Sequence, residues 1–359
     1  MVTPCGVRAR APLDYEAGNL PSMEPVKVRA PSIRDVARIA GVSYQTVSRA
    51  LNNSENIRST TKDRVLEVIE QLGYRPNQAA RALVTSRSRT IGVLTSQVAN
   101  YGPATSLAAI EEAARDAGYV ITTTSLTATD SESIHDRLEY LLSQAIEGLV
   151  VIAPQVRVFT AIRELDIRLP LVTLDSTGRD GQHSLSVDQI AGARLATRHL
   201  IDLGHRHIVH LAGPQDWIEA EARMAGFLDE LIEADLPVRA PILGDWTSDF
   251  GYTVGAELAR SRDFTAVFAA NDLMALGLIH AFRDAGLDVP GDVSVMGFDD
   301  VPEARHYLPP LTTVRQDFAE IGRRSVAMLL AELDGRSERD HAQILPELVV
   351  RQSTAPPRR

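Results

Sequence analysis

Residues Ser32 to Leu51 (SIRDVARIAGVSYQTVSRAL) constrain this chain more than any other stretch, because they set two helix starts and one helix stop in quick succession. Ser32 and Asp35 have capping-box spacing. The serine is placed to accept from a free N–H, and the carboxylate answers the helix dipole. Val36, Ala37 and Ala40 follow at helical spacing and give one small apolar face. Gly41 breaks the helix, and Ser43 caps a second one running from Tyr44 to about Leu51. Val47 and Leu51, four apart, pack that helix back on the first. Its opposite face presents Tyr44, Gln45, Ser48 and Arg49, residue types that meet base edges and phosphates. A second helix offering Gln and Arg from its first turns is how a helix-turn-helix reads a major groove. The plainer reading, a helical pair with a polar outer face, does not account for cap, breaker and polar set together. The expected partner is double-stranded DNA.

Charge first argues against that partner, since the chain carries a net −10. Its distribution argues the other way. Residues 31–89 hold ten Arg/Lys against five Asp/Glu, so this stretch is at +5 and the rest of the chain at −15. A basic headpiece on an acidic body suits a modular DNA-binding protein, and the acidic body discourages loose binding to phosphate. With 359 residues, 44% of them apolar, there is material for two or three domains with a substantial core. No apolar run approaches membrane-spanning length; Gly148 to Pro154 (GLVVIAP) is strand-sized. The N-terminus has arginines but no apolar stretch after them, so no signal peptide is expected. Cys5 is the only cysteine, which leaves no internal disulfide and no cysteine-clustered metal site. The cytoplasm is the expected compartment.

Residues 1 to about 29 have four prolines and no periodicity and read as a disordered extension. Met23 stands just before the capped helix and is a second candidate start; mass spectrometry of the native protein would decide between it and Met1. A third helix is expected from about Thr60 to Leu72, with Val65, Leu66, Ile69 and Leu72 inward and Gly73 as its stop. Asn77 to Val84 is helical by propensity but too short to stand alone. A polar linker, Thr85 to Arg89, follows. After Thr90, β runs alternate with helical stretches. The expected strands are Ile91–Thr95, Val120–Thr124, Leu149–Ala153, Leu171–Asp175, His207–Ala212, Ala266–Ala269 and Val293–Phe298. Helices expected between them include Leu107–Ala117, Ser133–Gln144, Ile190–Leu203, Leu273–Ala285 and Phe318–Leu333. This order implies an α/β fold with parallel sheets and ligands at the carboxyl ends of strands. Its length suggests two such subdomains.

Seven blocks then stand in a particular order: VARIAGVSYQTVSRALN, GYRPNQAARAL, LGHRHIVHLAGP, GDW, ANDLMALG, VMGFDDVPEARHYLPPLTTVRQDF and LPELVVRQS. Through them the chain resembles the LacI/GalR family of bacterial repressors over about residues 32 to 353. The resemblance implies a three-helix headpiece at 30–76, a hinge helix and linker at 77–89, and a core at 90–353 with two lobes like those of periplasmic sugar-binding proteins. The N-terminal lobe would comprise about 90–187 and 316–345, the C-terminal lobe about 188–315 and 346–353. Tyr44, Gln45, Ser48 and Arg49 would contact the operator, and the Tyr-Gln pair matches the family's lactose-responsive branch. Asn77, Ala80 and Leu83 would belong to a hinge that folds in the minor groove, with Leu83 wedged into a base step. Ordering and unstacking cost a few kcal/mol, offset by contacts on the bent duplex. The plainer reading packs Leu83 on the core.

A polyhydroxylated ligand is best held by carboxylates, an arginine, an amide and an aromatic platform. Those types fall at loop-prone strand ends: Asp175 after LVTL, Arg223 after the LAGP turn, Trp246 in GDW, Asn271 after VFAA, Asp299 after VMGF, and Gln316. By resemblance, Arg223, Asn271 and Asp299 match the family's most widespread ligand contacts. Trp246, Asp175 and Gln316 match positions used with galactosides. Each has a plainer role available, Asn271 or Asp299 as a helix cap and Trp246 as core. Two segments depart from the galactoside-responsive pattern. Gln97 to Pro103 makes a more polar rim, and Pro214 to Ala222 brings Trp217, Glu219 and Glu221 near the mouth. They put the sugar's substituents in question, not the sugar-like class.

Nothing in the sequence calls for catalysis, a cofactor or a metal. The nine histidines show no HExxH spacing, and His199, His205, His207 and His210 read as structural. Phosphate loops and a GxSxG elbow are absent. The expectation is a homodimeric repressor, released from a near-palindromic operator by a sugar, a galactoside in class by its matched positions. The chain lacks leucine heptads after its last core strand, which favours a dimer over a tetramer. A corepressor-dependent regulator shares every motif and stays open. A sugar receptor for transport is opposed by the headpiece, and an enzyme by the missing catalytic residues.

Overall fold

The computed structural model describes residues 31–51, 57–75, 87–96, 100–126, 128–153, 155–163, 167–174, 184–336 and 342–358. The N-terminal extension, the hinge residues Asn77, Ala80 and Leu83, and the pocket candidate Asp175 lie outside them. The chain divides into two compact units, Met1–Gln78 and Ala79–Arg359.

In the first unit, α1 (Ile33–Ala40) is fixed at both ends by its own sequence. Asp35 N–H donates to Ser32 Oγ, and the Asp35 carboxylate accepts from Ser32 N–H at 2.9 Å. Gly41 ends the helix in the left-handed region at φ 64°, where a side chain is disfavoured. Ser43 Oγ accepts from Thr46 N–H at 3.2 Å and starts α2 (Tyr44–Leu51). After α3 (Ser59–Leu72), Gly73 repeats the left-handed stop. The three helices bury Val36, Ala37, Ala40, Val47, Ala50, Val65 and Val68 as one cluster, with Leu51, Ile69 and Leu72 partly buried around it. Leu66, expected inward, is 43% exposed, and Val68 takes its place. Helical spacing admits either face. The angle at which α3 meets α1 and α2 selects Val65 and Val68.

The second unit begins with β1 (Thr90–Ser96), α4 (Tyr101–Asp116), β2 (Val120–Leu126), α5 (Ser131–Ser143), β3 (Gly148–Ile152), α6 (Val156–Arg163), β4 (Leu171–Leu174) and β5 (Ser184–Leu185). Their strands form one parallel sheet in the order β2-β1-β3-β4-β5. The chain continues through α7 (Gln189–Asp202), β6 (Ile208–Ala212), α8 (Ile218–Glu233), β7 (Ile242–Leu243), α9 (Ser248–Ser261), β8 (Ala266–Ala269), α10 (Asp272–Asp284) and β9 (Ser294–Met296). These give a second parallel sheet, β7-β6-β8-β9. Strand β10 (Thr313–Arg315) pairs antiparallel with β11 (Glu347–Val349), and α11 (Phe318–Leu333) between them packs on α4. Strands β3, β6 and β8 are buried along their whole length, as expected where helices cover both faces.

All seven expected strands and the five named helices are present, with ends shifted by a few residues. Strand β9 stops short of the expected Phe298 because Gly297 runs against the buried Asp272 carboxylate, where a Cβ would overlap Oδ1. Beyond it Asp299 and Asp300 take φ of 109° and 53°, a pair of left-handed residues that turns the chain. The strands missed, β5, β7, β10 and β11, are two or three residues long and carry no readable alternation.

Candidate functional site

On the first unit, α2 turns Tyr44, Gln45 and Arg49 to solvent, and Ser48 is half-buried. Val47 and Ala50 face the other way and are buried, so the polar set forms one free face of a helix fixed from behind. Arg34 and Arg38 are also exposed, on α1. The arrangement supplies donors for phosphate and base edges from a rigid element.

In the second unit, strand ends and helix starts converge on a cavity of about 90 Å³. Five sequence-predicted residues line it: Arg223, Trp246, Asn271, Asp299 and Gln316. Each arrives on a different element. Arg223 sits in the second turn of α8, Trp246 follows β7, and Asn271 begins α10. Asp299 follows β9, and Gln316 follows β10.

Four of the lining side chains are wired in sequence. Arg223 Nε donates to Gln189 Oε1 at 2.8 Å, and Gln189 Nε2 donates to Gln316 Oε1 at 2.7 Å. Gln316 Nε2 in turn donates to Asp299 Oδ1 at 2.7 Å, and Arg223 Nη2 lies 3.5 Å from that same oxygen. Arg223 Nη1 donates to the Ala270 carbonyl. The guanidinium also lies over the Phe298 ring, with 3.9 Å from Cζ to the ring centroid. An arginine this buried stays charged, so it needs these acceptors and this ring face. Burial pushes the Asp299 carboxyl up to about 6, against the pull of Arg223 and the Gln316 amide. Behind it, Asp272 accepts from Thr313 Oγ1 at 2.6 Å and Val301 N–H at 2.8 Å. Burial holds the Asp272 carboxyl well above the usual range, and Asp299 adds to the effect.

Asn271 has two duties. Its Oδ1 caps α10 by accepting from Met274 N–H at 2.9 Å, and its Nδ2 donates to the Trp246 carbonyl at 3.0 Å. Trp246 is 5% exposed, adopts φ 73°, and meets Trp217 edge to face at 5.4 Å between ring centroids. It therefore belongs to the core and to the cavity wall at once. Gly213 makes room for it, since a Cβ there would overlap the indole. Asp299 caps nothing; its partners are Gln316 and Arg223. The next residue, Asp300, anchors the turn through Arg315 at 2.7 Å and Arg351 at 2.5 Å. Burial alone would raise the Asp300 carboxyl, but these two arginines hold it below its usual range.

The second unit of the chain thus carries a polar, aromatic-walled cavity, and the first carries a helix-turn-helix. Residues 32–77 match the family model for bacterial regulatory proteins of the lacI family, and residues 197–354 match that for a periplasmic binding protein-like domain. The lactose operon repressor of Escherichia coli (strain K12) is 34% identical over 334 residues, which cover 92% of this chain and 91% of that protein. The chain belongs to the LacI family of bacterial regulatory proteins. As a LacI-family member it is a DNA-binding transcriptional repressor with a ligand-binding domain, and not an enzyme. The transcriptional repressor PurR of Pasteurella multocida (strain Pm70) is 35% identical over 334 residues, with 90% of this chain and 98% of that one covered. The structure of the lac repressor dimer bound to operator and the anti-inducer ONPF matches with a TM-score of 0.81 at 32% identity. That match covers 91% of this chain and all of the other.

Of the residues expected near the mouth of this LacI-family pocket, Trp217 and Glu219 line it and Glu221 does not. Asn100 to Pro103 lines it as well. Gln189 and Phe298 are missed by sequence reasoning. Gln189 carries a faint signal, a glutamine directly after the helix-capping Asp188. Phe298 carries none, since it reads as the end of a strand. Among the described residues no histidine lines the cavity. His205 bonds Thr265 Oγ1, and His210 Nδ1–H donates to the Phe268 carbonyl at 2.9 Å between two stacked phenylalanine rings. Burial lowers His210 to about 4. Among the described residues no His, Cys, Asp or Glu group is placed to hold a metal ion, and no helix is long and apolar enough to cross a membrane.

Proposed function

We propose that this repressor grips a near-palindromic operator as a homodimer in the cytoplasm and is released by a sugar, a galactoside in class. Tyr44, Gln45, Ser48 and Arg49 read the major groove of each half-site. Asn77, Ala80 and Leu83 belong to the hinge that enters the minor groove. The operator-bound dimer structure of the lac repressor, similar along nearly the whole chain, supports this reading.

The observation that carries the effector half is the closed ring of Arg223, Gln189, Gln316 and Asp299 in a cavity walled by indole. Such a ring offers hydroxyls both donors and acceptors, and a hydroxyl missing from the ligand leaves one of these buried groups unpaired at about 1–3 kcal/mol. Asp175, from the end of β4, is assigned to the same ligand. Two lobes, about 90–187 with 316–345 and about 188–315 with 346–353, close over the sugar. Closure favours a state in which the hinges no longer pair on DNA. A coupling of roughly 1–3 kcal/mol is typical of such a shift.

Fluorescence anisotropy on a lac-like palindrome with a central CG step tests the reading, with galactosides titrated into the complex. Tight binding relieved by a galactoside is the expected result. The second reading, in which ligand strengthens DNA binding, uses the same residues, and similarity to PurR keeps it in view. It predicts the opposite sign in the same titration. Tight binding that no sugar relieves would remove the effector assignment and leave the headpiece assignment standing.

A further inference from the structure

The first turn of α8 meets the cavity without a side-chain cap, because its N-cap residue is Trp217. A helix start of this kind is a ready-made anion site, with free N–H groups and a positive dipole end. In this chain a carboxylate stands there. Glu219 lines the cavity two residues after the cap, with Oε2 shielded from solvent, and lies one helical turn before Arg223. Its charge also acts on Arg223. We propose that Glu219 is a specificity-determining residue that makes this pocket select uncharged sugars and reject phosphorylated or uronic ones.

The charge inventory of the lining supports this. Among the described residues of the lining, Glu219 and Asp299 oppose one guanidinium, that of Arg223. The guanidinium is already committed, Nε to Gln189, Nη1 to the Ala270 carbonyl, and Nη2 towards Asp299. A phosphate or carboxylate on the ligand would have to break these contacts and then face two carboxylates shielded from water, where like charges repel strongly. A second helix start at the cavity without a side-chain cap, that of α4 at Asn100, offers only partial charge against them. A neutral hydroxyl meets no such penalty, because it can donate to Glu219 or Asp299. A plainer role exists for Glu219, compensation of the α8 dipole, and that role by itself leaves ligand choice unchanged.

The inference rests on the proposed sugar-binding reading, and one experiment separates their failures. Methyl β-galactoside, galactose 6-phosphate and galacturonate are titrated calorimetrically into the full-length protein, and into Glu219→Gln and Glu219→Ser. Retained operator binding verifies that each variant is folded. The expected result is binding of the neutral galactoside alone by the original protein. Glu219→Gln should raise affinity for the two anionic sugars by about tenfold or more, with much less change for the neutral one. Equal binding of neutral and anionic sugars by the original protein, or no gain in either folded variant, overturns the role of Glu219. Binding of no sugar by any of the three proteins overturns the sugar reading itself, and the inference with it.

Discussion

The guanidinium carbon of Arg223 lies 3.9 Å from the centroid of the Phe298 ring, and that ring is fully buried. The stack explains how a single arginine can be kept inside the protein with only a loose 3.5 Å approach to its carboxylate partner, Asp299. Desolvated cation–π contacts contribute about 2 kcal/mol, and the ring also fixes the plane in which the guanidinium fork must lie. Arg223 can then reach Gln189 and the Ala270 carbonyl together.

Replacing the ring while keeping an apolar side chain tests that account. Phe298→Leu should lower folding stability by ~1–2 kcal/mol through the lost stack, less than the ~3–5 kcal/mol typical of truncating a buried Phe to Ala. Urea denaturation measures both. Effector sensitivity in the anisotropy assay should fall in Phe298→Leu while operator affinity holds. Unchanged stability and unchanged effector response would mean that the ring does not hold the arginine.

How far the sequence discloses the molecule depends on how local each cause is. Ser32, Asp35, Gly41 and Ser43 act within a turn of themselves, so the first two headpiece helices are readable to the residue. Leu66 and Val68 both satisfy helical spacing, and only the packing of α3 on its neighbours decides between them. At the cavity, Asn271 and Asp299 are legible because strand ends of parallel sheets point to one side, and Arg223 and Gln316 because their residue types suit a polyhydroxylated ligand and stand beside turns. Gln189 and Phe298 are not, because their meaning comes from contacts with Arg223 made across 34 and 75 positions of chain. Asn271 shows a further limit. Its capping bond to Met274 and its place in the cavity wall are both real, and a sequence cannot rank two uses of one side chain.

Helices α9 and α10 approach each other through glycine. A Cβ at Gly277 would overlap the Ser248 carbonyl oxygen and crowd the Tyr252 amide nitrogen, and both are backbone atoms that cannot swing aside. Gly277→Ala should therefore separate the helices and destabilise the second unit, despite the alanine's better helix propensity. Overpacking costs of ~1–3 kcal/mol are typical, against a propensity gain of ~1 kcal/mol. Denaturant unfolding followed by tryptophan fluorescence reads the result, since Trp217 and Trp246 both belong to this core. A stabilised variant would show that the two backbones are not in contact.

Protonation of Asp299 should make the effector response depend on pH. Its carboxyl is pushed from 3.8 up to about 6 by burial, with Arg223 and Gln316 opposing and the Asp272, Glu219 and Tyr101 side chains also near the site. The sign for stability follows from linkage. A raised carboxyl favours the folded state fully below about 4, and that contribution is lost as pH rises through about 6. Binding runs the other way. A sugar hydroxyl donating to the ionised carboxylate lowers the carboxyl in the complex, so affinity should fall as pH drops below about 6 and level off above it. Titrations at pH 5 and pH 7.5 measure this, with Asp299→Asn as the control that should bind weakly at both. Affinity independent of pH would remove the carboxylate of Asp299 from ligand binding.

Arg49 separates specific from general DNA binding. It stands exposed on α2, on the face opposite the buried Val47 and Ala50, and is no part of the apolar cluster that holds the headpiece together, so its loss should leave folding intact. A bidentate arginine–guanine pair gives roughly 1–3 kcal/mol of discrimination, and a homodimer would use it twice, so Arg49→Ala should cost about 2–6 kcal/mol of operator affinity. What remains should be the phosphate term, which carries little sequence preference and falls steeply with salt. Anisotropy on operator and on a scrambled duplex, each across a salt series, distinguishes the two terms. The variant should bind both duplexes alike, with affinity for the scrambled one reduced only modestly. Operator affinity that survives Arg49→Ala would place base reading elsewhere than α2, and leave Tyr44 and Gln45 without the partner their helix was assigned.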